Sequence, residues 1–128
     1  LVLAESGAIL EYLVDTYGGG RLKPAPVSPE RVQYLYWMHY AEGSVMPPLL
    51  FKLVFDVIET APMPFFVRPV AKGIASRTKS TFIQPQIDLH LDFIEGELAK
   101  REWFAGAEFT AADVAAELQR LDPTAGEK

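Results

Sequence analysis

Glu5 and Ser6 are the first residues in the chain whose types and position could do chemistry. They precede a run in which Ile9, Leu10 and Leu13 recur at helical spacing, so the pair lies at the start of a predicted helix. A helix N-terminus has free N–H groups and a partial positive charge, and together with a serine hydroxyl it can bind an anion. The alternative is structural, with Ser6 as a cap and Glu5 compensating the dipole. From these two residues alone, the structural role is favoured.

Thr110 and Asp113 form a second candidate constellation, near the other end of the chain. With Thr110 as the N-cap, the Asp113 carboxylate can reach back to a free N–H group, as in a capping box. Phe109 before the cap and Val114 after it fit a hydrophobic staple. We therefore predict a structural role for these four residues and a helix that begins here, although its apolar pattern fades after Val114.

Other potentially reactive residues give weaker signals. His39 and His90 lack the spacing of a helical metal motif, so no metal site is predicted. The glycines at 18–20 are followed by neither a strand nor a Lys-Ser/Thr pair, which argues against a phosphate-binding loop. The chain has no cysteine, which excludes a disulfide, a thiol nucleophile and a thiolate zinc site within it.

The elements that position these residues are predicted to be helices. The first covers residues 5–17 and ends at Gly18, and a linker rich in glycine and proline follows over residues 19–28. Ser28 and Pro29 begin a long helix with apolar side chains on most faces, as in a helix buried on several sides. Pro47 and Pro48 should kink or break that helix. Three further helical segments are predicted over residues 49–58, 65–80 and 83–98.

The clearest periodicity lies in the last of these segments. Five aliphatic residues follow one another at intervals of four, four, three and four, which predicts a helix facing a core: Ile83, Ile87, Leu91, Ile94 and Leu98. Glu97 and Arg101 have the spacing of an i,i+4 ion pair on the same helix. Because no run of alternating residues predicts a strand, the predicted fold class is all-α, a helical bundle.

Composition limits the partners and the location of the chain. Its 128 residues are 49% hydrophobic and 23% charged, which suffices for one globular core. A net charge of −5 without a basic block predicts no nucleic-acid partner. Charged residues interrupt the apolar stretches before they reach the length of a bilayer span, so no membrane partner is predicted. A cytoplasmic location fits a chain without cysteine.

Three segments together resemble the cytosolic glutathione S-transferase family. Residues 5–13 (ESGAILEYL) resemble the end of its thioredoxin-like domain, and residues 37–49 (WMHYAEGSVMPPL) resemble the first long helix of its all-α C-terminal domain. Residues 104–114 (FAGAEFTAADV) resemble the capping element of the central helix of that domain. The resemblance implies a last thioredoxin-like helix in residues 1–18, a linker in residues 19–28 and an all-α domain in residues 29–128, altered or truncated after about residue 114.

The resemblance also implies roles for individual residues. Ser6 and the helix N-terminus would bind the γ-glutamyl carboxylate of glutathione, and Glu5 would accept from its ammonium group. Met46 and Leu49 would line a pocket for an apolar electrophile, and plain core packing is an equally weighted alternative for them. The family's thiol-activating residue has no matching position in this sequence. We therefore assign no catalytic residue and expect the chain alone to have little or no activity.

The implied function is conjugation of glutathione, as co-substrate and without a cofactor, to a small apolar electrophile. The parent protein would be a cytoplasmic homodimer that acts in detoxification. A non-catalytic helical interaction module of glutathione-transferase type is the first alternative, because fold does not fix function. The Glu5–Ser6 pair discriminates between the two, since a glutathione site needs it and such a module does not. The second alternative is an incomplete gene product, suggested by Leu1 in place of Met and by the polar end.

Overall fold

A computed structural model describes residues 2–118, and all the regular elements in that range are helical. Their order is α1 (Ser6–Tyr17), α2 (Pro29–Tyr40), a first π-helical turn (Ala41–Val45), α3 (Met46–Thr60), α4 (Arg68–Thr78), a second π-helical turn (Lys79–Ile83), α5 (Gln84–Leu98) and α6 (Ala111–Leu118). The predicted all-α fold is therefore confirmed. Most of the segment that the sequence marks as altered or truncated, residues 119–128, lies outside the described residues.

The predicted punctuation of the first two helices is confirmed. α1 ends at Tyr17, and the chain turns away through Gly19 (φ 59°) and Gly20 (φ 82°), a conformation that glycine adopts without steric cost. Pro29 is the first residue of α2, where its missing N–H group costs no helical hydrogen bond. The hydroxyl of Ser28 does not cap the helix, although the residue lies at the N-cap position.

Pro47 and Pro48 widen the long helix instead of breaking it. The N–H group of Met46 donates to the carbonyl of Ala41, five residues back, in the first π-helical turn. A proline has no N–H group and its ring clashes with the carbonyl four residues back, so the wider turn lets the chain continue directly into α3. A second π-helical turn precedes Pro85 and joins α4 to α5 in the same way. Of the predicted kink or break at Pro47 and Pro48, the break does not occur, and the predicted gap between the segments 65–80 and 83–98 is likewise helical.

The main core lies where α6 packs against both α2 and α1. Its largest members are Tyr34, Trp37, Met38 and Phe104, and the small residues Ala111, Ala112 and Ala115 bring α6 close to α2. The prediction that α2 is buried on several sides is wrong in part. Val32 is 70% exposed, and Leu35 and Tyr36 are more than two-fifths exposed, so only one face of α2 belongs to the core.

The aliphatic stripe of α5 has two environments. Ile83 and Ile87 are buried, whereas Leu91 is 48% exposed and Leu98 is 39% exposed. Leu91 and Leu98 line an open groove, whereas Ile94, between them, also packs against the main core. The core prediction therefore holds for Ile83, Ile87 and Ile94 and fails for the two leucines. In the described range, no helix is both long enough and apolar enough to cross a lipid bilayer.

Candidate functional site

Ser6 lies at the N-terminus of α1, at the place where the sequence predicts an anion site. No side chain caps this end of the helix, and Ser6 itself is exposed. A Cβ atom added at Gly7 would have no neighbour within 4 Å, so the space beside the first turn is open. The N–H groups of the first turn are therefore accessible to a ligand of the kind that helix N-termini bind.

Glu5 precedes the helix with a backbone conformation that L-residues rarely adopt. Its φ is 73° and its ψ is 117°, and among non-glycine residues in the described range only Leu22 shares a positive φ. The conformation of Leu22 has a structural reason, because its carbonyl accepts the N–H group of Ala111 at 2.9 Å. Positive φ at a non-glycine residue costs on the order of 1–3 kcal/mol and tends to occur at functional sites.

Glu42 is the residue that the sequence did not indicate. The first π-helical turn carries it to the N-terminus of α1, where its carboxylate accepts a hydrogen bond from the Ser6 hydroxyl across 36 positions of sequence. The site thus combines a helix N-terminus and a hydroxyl with two exposed carboxylates, those of Glu5 and Glu42. Such a set can bind a carboxylate through its donors and an ammonium group through its acids.

A polar clamp holds α1 in register with α2. The hydroxyl of the fully buried Tyr34 donates to Glu11 of α1 at 2.5 Å. Lys23, from the linker, binds Glu11 as well and reaches Asp15 at 2.7 Å. Burial, together with the hydrogen bond to Glu11, raises the pKa of Tyr34 well above its usual value. The clamp fixes the helix whose N-terminus carries Ser6.

Thr110 and Asp113 lie far from this site in the chain and form a closed, buried set of hydrogen bonds. The Asp113 carboxylate accepts the N–H group of Thr110 at 2.8 Å, the Thr110 hydroxyl at 3.0 Å and the N–H group of Phe104 at 2.9 Å. The N–H group of Ala112 donates to the Thr110 hydroxyl at 3.3 Å. These bonds begin α6 and tie the preceding loop to it. Phe109 packs edge-on against Trp103, and Phe109 and Val114 both face the groove beside α5.

The groove between α5, α6 and the long helix has a volume of about 760 Å³ and a mainly apolar wall. Leu49 lines it, but Met46, three residues earlier and 37% exposed, does not. The structure therefore does not bring the two predicted pocket residues together in this groove. Its polar lining includes the acids Glu95, Glu102, Asp113 and Glu117. The Tyr40 hydroxyl and Nδ1 of His90, which also line the groove, form a hydrogen bond of 2.7 Å. Burial raises the pKa of the Tyr40 hydroxyl.

His39 and His90 are the two histidines for which the sequence predicts no shared metal site. The His39 side chain is exposed, whereas Nδ1 of His90 is hydrogen-bonded to the Tyr40 hydroxyl. The two side chains therefore lie in different environments. Over residues 2–118, the structure contains no cluster of three His, Cys, Asp or Glu side chains able to hold a metal ion.

Comparison with known proteins gives two relatives. The chain is 39% identical over 110 residues to glutathione S-transferase 3 of Schizosaccharomyces pombe, a match that covers 85% of this chain and 45% of the relative. It is 25% identical over 114 residues to glutathione S-transferase 1 of Saccharomyces cerevisiae, which covers 88% of this chain and 49% of the relative. The chain thus spans about half the length of these relatives. No protein-family model matches it.

Both matches extend over most of the chain, and the helical architecture agrees with the C-terminal domain that the sequence resembles. On this evidence, the chain belongs to the glutathione S-transferase family.

Proposed function

We propose that residues Glu5, Ser6 and Glu42 bind the γ-glutamyl end of glutathione. The observation that carries the proposal is the exposed Ser6 hydroxyl, which lies at an uncapped helix N-terminus and donates to Glu42. The γ-glutamyl group has one carboxylate and one ammonium group. The helix N-terminus and the hydroxyl suit the carboxylate, and the two acids suit the ammonium group. Ligand binding would redirect the Ser6 hydroxyl from Glu42 to the incoming carboxylate.

The proposed reaction of the full-length protein is attack of the glutathione thiolate on a small apolar electrophile. A thiolate is the reactive form of a thiol, so the enzyme must lower the pKa of the glutathione thiol. We assign this step to no residue of the chain. The chain contributes the glutamyl end of the site and, through Leu49 and the groove, one apolar wall. Met46 stays a predicted contact for the electrophile on the outer side of α3.

On the same grounds we propose a cytoplasmic homodimer that acts in detoxification, with residues 1–18 as the last helix of a thioredoxin-like domain. An exposed apolar face on α3 supports self-association, since large apolar patches mark interaction sites. This face consists of Leu50, Phe51, Val54, Val57 and Ile58. Val54→Glu should shift the protein toward monomer in light scattering coupled to gel filtration. The control Val32→Glu, on an exposed part of α2, should leave the measured molar mass of the assembly unchanged.

The test of the glutamyl site is calorimetric titration of three ligands into the chain. Glutathione and γ-glutamylcysteine should bind saturably, whereas cysteinylglycine, which lacks the γ-glutamyl group, should not. Ser6→Ala should weaken binding by about tenfold, because a charge-assisted hydrogen bond is lost. Ser76→Ala, an exposed serine on α4, is the matched control and should bind normally.

Two outcomes would contradict the proposal. Equal binding of cysteinylglycine and glutathione would show that the chain contacts the cysteinylglycine part of the peptide and not its γ-glutamyl group. A Ser6→Ala protein that binds as tightly as the Ser76→Ala control would return Ser6 to a structural role. A folded chain that binds none of the three ligands would favour the non-catalytic interaction module.

A further inference from the structure

The charge of the chain is distributed unevenly. Residues 60–87 contain four of the 12 basic residues and none of the 17 acidic ones, although the chain as a whole has a net charge of −5. The four are Arg68, Lys72, Arg77 and Lys79. They are dispersed, so no basic block is visible in the sequence. In the structure this acid-free segment comprises the turn between α3 and α4, the whole of α4, the second π-helical turn and the start of α5.

That turn presents two phenylalanine side chains to solvent. The N–H group of Val67 donates to the carbonyl of Pro64 at 3.0 Å, which closes a four-residue turn with Phe65 and Phe66 at its tip. Phe65 is 87% exposed and Phe66 is 68% exposed, and their rings meet edge-to-face. Turn tips are normally occupied by glycine, proline and small polar residues, so two exposed aromatic rings there are unusual.

Two cations in the first turns of α4, after the turn, have no carboxylate partner among residues 2–118. Arg68 and Lys72 are exposed in the first turns of α4, and within the described residues neither forms an ion pair. Lys79, at the far end of α4, behaves differently. It is held by Asp56 at 2.7 Å and by Glu59 at 2.5 Å. Arg68 and Lys72, like Arg77 further along α4, are therefore available to an anionic partner, and they are the two that lie near the exposed phenylalanines.

We propose that the turn at residues 64–67, called here the aromatic tip, docks on an anionic lipid surface. Phe65 and Phe66 enter the boundary between headgroups and acyl chains, and Arg68 and Lys72 bind the lipid phosphates. Aromatic and basic side chains are the combination that interfacial contact requires. The prediction of no membrane partner rested on the lack of a spanning segment, whereas a peripheral contact needs none.

A second copy of the chain is a less suitable occupant. A symmetric contact brings the same patch of both subunits together, and because residues 60–87 contain no acid, two basic patches would meet without an opposite charge from that segment. The tip is also convex and small, whereas a stable protein interface needs a broad complementary surface. An anionic bilayer complements the charge and accepts a small aromatic wedge.

The test is co-sedimentation of the 128-residue chain with two kinds of vesicle, one of phosphatidylcholine alone and one containing about 30% phosphatidylserine. We expect binding to the anionic vesicles only, weakened by added salt. Phe65→Ala with Phe66→Ala should reduce binding by about tenfold or more. Arg68→Gln with Lys72→Gln should reduce it by about fivefold for each cation.

Matched controls distinguish binding through the aromatic tip from non-specific binding to vesicles. Tyr17→Ala with Phe82→Ala removes two other exposed aromatic side chains, and Lys52→Gln with Lys100→Gln removes the same charge elsewhere. Both control proteins should bind like the parent chain, and circular dichroism checks that every variant is folded. As a second readout, Phe66→Trp introduces a tryptophan at the tip. Brominated lipids should quench the fluorescence of this variant more strongly than that of the unsubstituted chain.

Three results would overturn the proposal. These are equal loss of binding in tip and control variants, equal binding to both kinds of vesicle, and no binding to either. Self-association that Phe65→Ala with Phe66→Ala abolishes, without vesicle binding, would assign the tip to a second copy instead. Glutathione titration of the tip variants is independent of these results, so failure here leaves the proposed glutamyl site untouched.

Discussion

Two helix N-termini in this molecule each have a hydroxyl residue and an acid, but the two pairs have opposite surroundings. At α6, Thr110 and Asp113 are buried, and the carboxylate accepts three hydrogen bonds from the local backbone and side chain. At α1, Ser6 and Glu5 are exposed, and no side chain caps the helix. The first arrangement satisfies its own N–H groups, and the second leaves them open.

The difference shows why local sequence cannot distinguish a cap from a binding site. A hydroxyl residue and an acid near a helix start are compatible with both roles. What separates them is the long-range environment. Phe104 turns its N–H group toward Asp113, whereas Glu42 approaches Ser6 from a different helix and leaves the N-terminus uncovered. The bonds at α6 close its N-terminus, whereas the N-terminus of α1 stays uncapped, as the proposed glutamyl site requires.

The largest expected effect is at the closed N-terminus. Asp113→Ala should lower the free energy of unfolding by about 3 kcal/mol, because the buried N–H groups of Thr110 and Phe104 lose their acceptor. Thermal and urea unfolding followed by circular dichroism would measure it. Asp92→Ala, an exposed acid on α5, should change stability by less than about 0.5 kcal/mol. Similar stabilities for the two variants would show that the buried bonds are unimportant for folding.

Two substitutions that each remove one hydroxyl compare the N-termini of α6 and α1 directly. Thr110→Ala should cost about 1–2 kcal/mol, because it removes a cap that accepts the Ala112 N–H group and donates to Asp113. Ser6→Ala should cost less than about 0.5 kcal/mol, since Ser6 caps nothing in the helix. The same unfolding experiment applies to both. An equal loss in the two variants would remove the distinction between closed and open ends.

The sequence predicts the fold class and most helix limits because these depend on local signals. The glycines at 18–20 and the Ser28–Pro29 pair mark helix limits, and α1 and α2 end and begin there in the structure. The positive φ that requires glycine occurs at Gly19 and Gly20, whereas Gly18 has a φ of −68°. The two π-helical turns could not be predicted in this way. Proline predicts a local break, but whether the helix widens or ends depends on how its flanking segments pack.

Of the candidate site, only the residues that are adjacent in sequence were predictable. Glu5 and Ser6 are adjacent in sequence, and the α1 pattern places them at a helix start. Glu42 is 36 positions away, and its approach depends on the first π-helical turn. Its one available signal was its position just before the Pro47–Pro48 pair. The same limit applies to Met46, which shares a helix with Leu49 but not the groove.

The clamp between α1 and α2 predicts a pH dependence with a definite sign. The pKa of Tyr34 is raised in the folded chain, so its contribution to stability is present below pH about 10 and is lost as the pH rises through the folded value. Tyr34→Phe should cost about 1 kcal/mol at neutral pH. It should also reduce the loss of stability in alkali. Tyr17→Phe, at an exposed tyrosine, is the control, and an unchanged alkaline profile in Tyr34→Phe would contradict the assignment.

The smallest expected effect has the opposite sign and concerns the strained residue at the open end. Glu5→Gly should raise the free energy of unfolding by about 0.5–1 kcal/mol, because glycine adopts a φ of 73° without steric cost. Glu5→Ala removes the same carboxylate but keeps the strain, so it should bring no such gain. Both substitutions should weaken glutathione binding to a similar extent.

Chemical unfolding and calorimetric titration of the Gly and Ala proteins separate backbone strain from charge. A more stable Gly protein that has lost affinity would mean that the open end sacrifices stability for its ligand, which the closed end at α6 does not do. Equal stability of the two proteins would show that the backbone at residue 5 is not strained. The contrast between the two helix ends would then rest on burial and capping alone.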